Sequence, residues 1–138
     1  MDNKEDREFV YNTASNAIPL SKISMVNNPD LIMFYCIYFM RDSIYYIQEE
    51  DTIAICDFNE EVLQIQDVFT KKDVNLDKII NTMMKEQTKK VVLGFTPKDI
   101  SCYEKNLINE EDTTLFIKRG KNNLFKTADI MFPLLSHA

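Results

Sequence analysis

At 138 residues, 45% hydrophobic and 11% aromatic, the chain has the size and apolar content of one domain with a real core. Its formal net charge of −6 and pI near 4.8 work against binding nucleic acid through phosphates, which needs a Lys/Arg surface built against the chain's own field. Cys36, Cys56 and Cys102 are odd in number, far apart and each set among apolar residues, so neither a disulfide framework nor a metal site is expected.

The opening Met1-Asp2-Asn3-Lys4-Glu5-Asp6 is too acidic for a signal peptide, and no apolar run nears the roughly 18 residues of a membrane span. A cytoplasmic protein with no membrane partner is the expectation. Residues 3–15 place Phe9, Val10, Thr13 and Ala14 at spacings of three and four, with Ala17 following and acids early, which predicts a helix. A linker containing Pro19 follows. Asn27-Asn28-Pro29-Asp30 is a helix start, with a capping Asn, a Pro and an acid in order. Leu31, Phe34, Tyr35, Tyr38 and Phe39 would share one face of that helix, although the apolar density of residues 31–40 also suits a buried strand.

From Ser43 the period changes to two. Residues 44–47 and 52–58 read as a hairpin with an acidic tip, and a turn at Asn59-Glu60-Glu61 leads into alternating residues 62–69, so three antiparallel strands are predicted. Leu76, Ile79, Ile80, Met83 and Met84 fall at i, i+3, i+4, i+7 and i+8, with Asp73 or Asn75 placed to cap that helix. Residues 89–95 form a short apolar strand that should pair in parallel with the preceding one, because a helix separates them. A short helix over 99–106, a strand over 113–117 and an edge strand over 128–135, broken by Pro133, complete the order.

Only two glycines occur, Gly94 and Gly120, where average usage would put roughly ten. No glycine-rich phosphate loop can be built from them. The one histidine, His137, stands beside the C-terminus, which disfavours a Ser-His-Asp or Cys-His device. Met33, Met40, Met83 and Met84 sit at apolar helix positions and read as core filler. Glu49, Glu50, Asp51, Asp57, Glu60 and Glu61 cluster at strand turns, where acids serve solubility.

The order helix, helix, three meandering strands, helix, strand, helix, two strands resembles the GNAT-type N-acetyltransferases from their first helix onward, without their opening strand. Residues 96–108, with Tyr103-Glu104-Lys105, are similar to that family's Asn, Ala, Tyr-Glu-Lys-x-Gly-Phe stretch, with Thr96 at the Asn position, Leu107 in place of the Gly and Ile108 in place of the aromatic. The resemblance implies one α/β (α+β) domain over 1–138, a central mixed, mostly antiparallel sheet flanked by helices. It implies acyl transfer from acetyl-CoA to a small-molecule or peptide amine, with Tyr103 as general acid. Asp57 or Asp67 would deprotonate the amine. The strand edge at Gln66, Val68 and Phe69 would align the pantetheine, Thr70, Lys71 and Lys72 would meet the phosphates, and Thr96 would complete the cofactor site. Aligning Ile79-Ile80 with the family's Leu-Leu puts Val74 and Leu76 where its pyrophosphate glycines stand. The other reading is a non-catalytic module of the same fold, whose open sheet edge is covered by a partner chain or a homodimer.

Overall fold

Asn3 begins the first helix, α1 (Lys4–Ser15): its Oδ1 accepts the Asp6 N–H at 2.7 Å, and Glu5 and Asp6 occupy the first turn, where the helix dipole favours acids. The computed structural model describes residues 1–108, 116–117, 125 and 128–136. Helix α2 (Pro29–Tyr38) starts at Asn28 with Pro29 in its first turn. Asn28 makes no capping bond, and its Nδ2 instead reaches Ser136 Oγ at 3.4 Å. Strand β1 (Ile44–Ile47) passes through a 3₁₀ turn (Gln48–Glu50) into β2 (Thr52–Asn59), and a two-residue turn leads to β3 (Val62–Thr70). Helix α3 (Leu76–Met83) is capped by Asn75, whose Oδ1 accepts the Asp77 N–H at 2.8 Å, and β4 (Lys90–Leu93) follows it.

The four strands form one sheet in the order β1-β2-β3-β4, antiparallel except for the parallel β3 and β4 joined through α3. This is the mixed, mostly antiparallel sheet with flanking helices that the sequence predicts. Each face carries its own core. Ala54, Cys56, Leu63, Ile65 and Val68 pack against Ile79, Ile80 and Met83 of α3, whereas Ile53, Ile55 and Phe69 pack against Val10, Ile32, Met33 and Cys36 of α1 and α2.

A β-bulge in β3 sets which residues go where. Pairing steps from Ile55↔Asp67 to Cys56↔Ile65, leaving Gln66 as the extra residue. Strict alternation from Leu63 and Ile65 would put Asp67 and Phe69 on the α3 face. After the bulge Val68 takes that face, and Asp67 and Phe69 turn towards α1 and α2.

Three expectations need correction. The aromatic side of α2 is not its core side: Ile32, Met33 and Cys36 are buried, while Phe34, Tyr38 and Phe39 are exposed, the Phe34 ring tilted against Tyr38 and edge-on to Phe39. Residues 99–106 form a single turn at Ser101-Cys102 and no helix: Asp99 Oδ1 accepts the Ser101 N–H at 2.9 Å and Tyr103 N–H donates to Ile100 O at 3.1 Å. Residues 128–135 are no edge strand; a 3₁₀ turn (Leu134–Ser136) drops Leu135 into the α1/α2 core. Of the strand expected over 113–117, residues 113–115 lie outside the described residues, as do Gly120 and His137; Phe116 and Ile117 are exposed and in no strand.

Candidate functional site

Strands β3 and β4 pair only from Val62↔Lys90 to Ile65↔Leu93 and then separate at Gly94, whose N–H donates to Ile65 O at 2.7 Å. The two chains are so close there that a Cβ on Gly94 would stand 2.7 Å from Gln66 O. Past this point β3 has a free flank. Ladder phase says which groups face it: Cys56 N–H donates to Ser43 O at 2.8 Å, so Cys56, Ala54 and Thr52 address β1, and their partners Val68 and Thr70 turn their own main-chain groups away from β2.

That flank is engaged by the protein itself. The Asp67 carboxylate takes the Val68 N–H at 2.8 Å, and Ile18 N–H donates to Thr70 O at 2.7 Å. Residues 18–22 then cross to the other arm, where Lys22 N–H donates to Thr96 O at 2.8 Å, Lys98 N–H donates to Leu20 O at 3.1 Å, and Ser21 and Pro97 form an antiparallel bridge. The linker is thus a strap between the diverging arms. Pro19 favours it, since the residue before a proline is held extended. The same Ile18-Pro19-Leu20 run, apolar residues flanking a proline, was the sequence signal for a strap rather than a solvated loop.

Beneath the strap lies a cavity of about 70 Å³ whose lining includes Ala17, Leu20, Ser24, Ile32, Asp67 and Phe69. Burial pushes the Asp67 carboxyl up to about 7, against the opposing pull of the Val68 N–H. Burial, and then the Asp67 charge, pushes the Cys36 thiol up to about 12.

Tyr103 is elsewhere. Its ring packs against the α3 core and its hydroxyl donates to Asp77 Oδ1 at 3.2 Å, while Asp67 belongs to the other face. Burial, then the Asp77 charge, pushes Tyr103 up to about 12. The expected acid and base are therefore not brought together. Gln66 is buried and donates to Asp57 Oδ2 at 3.0 Å, and Asp57 also accepts from Ser43 Oγ at 2.5 Å, which makes Asp57 a strand-tying group.

The residues expected to hold a cofactor are spread among structural tasks. Val68 and Phe69 are buried in opposite cores. Thr70 is fully buried, its Oγ1 accepting the Lys72 N–H at 3.1 Å. Thr96 Oγ1 accepts the Met131 N–H at 2.9 Å. Lys71 is exposed, and Lys72 lies 3.9 Å from Asp51 in an exposed ion pair. Val74 and Leu76 pack against the α3 core, so a loop of bare amides does not form there. Asp77 places a negative charge in the first turn of α3, the end that would otherwise attract an anion.

Among the described residues no group of His, Cys, Asp or Glu has the arrangement to hold a metal ion, and no helix is long and apolar enough to cross a membrane. Compared with protein-family models, with curated proteins and with solved structures, the chain matches none of them.

Proposed function

We propose that this chain is a non-catalytic binding or assembly module whose elements follow the order of an N-acetyltransferase from α1 to β4. The observation that carries this reading is the strap: residues 18–22 are hydrogen-bonded to both diverging arms, in the gap where such an enzyme would admit the pantetheine of acetyl-CoA. The separation of Tyr103 from Asp67 and the packed side chains of Val74 and Leu76 support it further. Titration with acetyl-CoA, followed by calorimetry and by thermal shift, is expected to give neither heat of binding nor stabilisation. A ligand at 100 times its Kd would add about 2.7 kcal/mol, so a saturable shift overturns the module reading.

The acyltransferase reading has one observation in its favour. Asp67 is a carboxyl pushed up to about 7 beside a cavity, a value suited to taking a proton from a small-molecule or peptide amine at neutral pH. It requires the strap to leave the gap. Should acetyl-CoA bind, Asp67→Asn would lower kcat and leave CoA affinity in place if Asp67 is the base, and Tyr103→Phe would do the same if Tyr103 is the acid.

A further inference from the structure

The strap covers a carboxyl for which the fold supplies no counter-charge. The bulge at Gln66 turns Asp67 to the α1/α2 side, where it borders the cavity that Ala17, Pro19, Leu20 and Ser21 line from the strap. One carboxyl oxygen, Oδ1, accepts the Val68 N–H at 2.8 Å, and among the described residues nothing donates to the other. No buried side-chain oxygen of the described residues lacks a hydrogen-bond partner, so this second oxygen keeps access to open space. The cavity is that space.

The groups around the carboxyl are neutral or turned elsewhere. From α2 the Cys36 thiol feels its charge. Its cross-strand partner on β2 is Ile55, while Ala14 of α1 and Ser136 of the 3₁₀ turn line the same cavity. Of the cations on these elements, Arg7 Nε of α1 donates to Met1 O at 2.9 Å and Lys22 of the strap is exposed. No described lysine or arginine is ion-paired with Asp67. A buried carboxylate without a partner is unfavourable, whereas the same group in water is not.

The strap is the part of this cover with the least to hold it. Three main-chain hydrogen bonds fix it, Ile18 N–H to Thr70 O, Lys22 N–H to Thr96 O and Lys98 N–H to Leu20 O, and none of residues 18–22 is buried. Helices α1 and α2, by contrast, hold Val10, Ile32, Met33 and Cys36 in the core.

We propose that the strap is a proton-operated latch: with Asp67 protonated it lies closed across the gap between β3 and β4, and loss of that proton to solvent favours a state in which residues 18–22 lift, water reaches the carboxylate, and α1, α2 and the sheet stay folded. Burial pushes the closed-state carboxyl up to about 7, whereas in the open, hydrated state it ionises near its ordinary 3.8. Below the lower value opening is independent of pH. Between the two values the open state has released a proton that the closed state keeps, so opening grows about tenfold per pH unit; above about 7 both states are ionised and the rise ends. The latch concerns when the gap opens and takes no side on what enters it, so it stands apart from the outcome of the acetyl-CoA titration.

Amide hydrogen exchange of the full chain, followed by NMR from about pH 5 to about pH 8, tests it, with each rate taken relative to that of the same amide in the unfolded chain. Protection of Ile18, Lys22 and Lys98 is expected to be lower than that of Cys56, whose N–H lies in the sheet, and to be insensitive to low urea. It is expected to fall about tenfold per pH unit and to level off above about pH 7. In Asp67→Asn the strap amides are expected to keep one protection throughout the range. Strap protection equal to that of Cys56 and falling with urea alongside it overturns the inference, because the strap then opens only with the whole fold. So does a strap more labile than Cys56 whose protection ignores pH, or one whose protection falls alike in the wild type and in Asp67→Asn. The wild-type comparison of strap with sheet is decisive even if the variant does not fold.

Discussion

Asp67 carries the largest pH effect that the structure supports. Its carboxyl is raised from 3.8 to about 7 because burial penalises the anion. In the unfolded chain the group ionises near its ordinary value, so between about pH 4 and pH 7 the folded state holds a proton that the unfolded state has lost. Stability from this group is complete below the lower value and declines as pH rises to about 7. At about 1.4 kcal/mol per pH unit, the loss is on the order of 4 kcal/mol at most. Asp67→Asn keeps an oxygen for the Val68 N–H and cannot ionise. Its Tm is expected to gain on that of the wild type as pH is raised from 4 to 8; parallel curves for the two proteins would show that Asp67 is not held protonated. The sequence names Asp67 as a candidate base but does not reveal its burial. That follows from the bulge at Gln66, and no local pattern in residues 62–70 announces where an alternating strand skips a step.

At the scale of elements, legibility follows the contrast between polar and apolar positions. Helix α3 has Asp77 and Lys78 ahead of Ile79 and Ile80, and Asn81 and Thr82 between Ile80 and Met83, so its buried face can be read directly. Helix α2 has one charge in ten residues, and periodicity that is apolar all round carries no phase; Ile32, Met33 and Cys36 win the core over the bulkier Phe34 and Tyr38. Residues 99–106 mislead because Asp99 and Ser101 spend their hydrogen-bonding capacity on a local turn. The separation of β3 from β4 also depends on one residue. Gly94 has a negative φ, so close approach rather than backbone freedom makes it necessary: an added Cβ would press on Gln66 O at 2.7 Å and on Gln66 Cα and Leu134 Cδ1 at 3.0 Å. Two of those three contacts are backbone, which cannot swing aside. Gly94→Ala is expected to cost about 1–3 kcal/mol, read as a lower urea midpoint with an unchanged slope. A midpoint equal to that of the wild type would mean that the seam is looser than these distances require.

At the scale of the whole molecule, one sheet separates two cores, and each core holds one cysteine that reports on it. Cys36 lies in the α1/α2 core and Cys56 in the α3 core, both buried, while Cys102 is exposed. Burial pushes both buried thiols up to about 12, helped by the Asp67 charge at Cys36 and the Asp57 charge at Cys56, so almost none of either is thiolate at neutral pH. A thiol reagent added to the native protein is expected to modify one cysteine per chain at once and the other two only as the structure opens. The relative rates of the slow pair then answer a question about cooperativity. Because β2 contributes Ile53 and Ile55 to one core and Ala54 and Cys56 to the other, neither face can be peeled away without disturbing the same strand. Cys36 and Cys56 should therefore react at a common rate that rises together with urea. If Cys36 reacts much faster than Cys56, then α1, α2 and the strap open as a unit while the hairpin and α3 stay folded, and the gap between β3 and β4 becomes accessible without global unfolding.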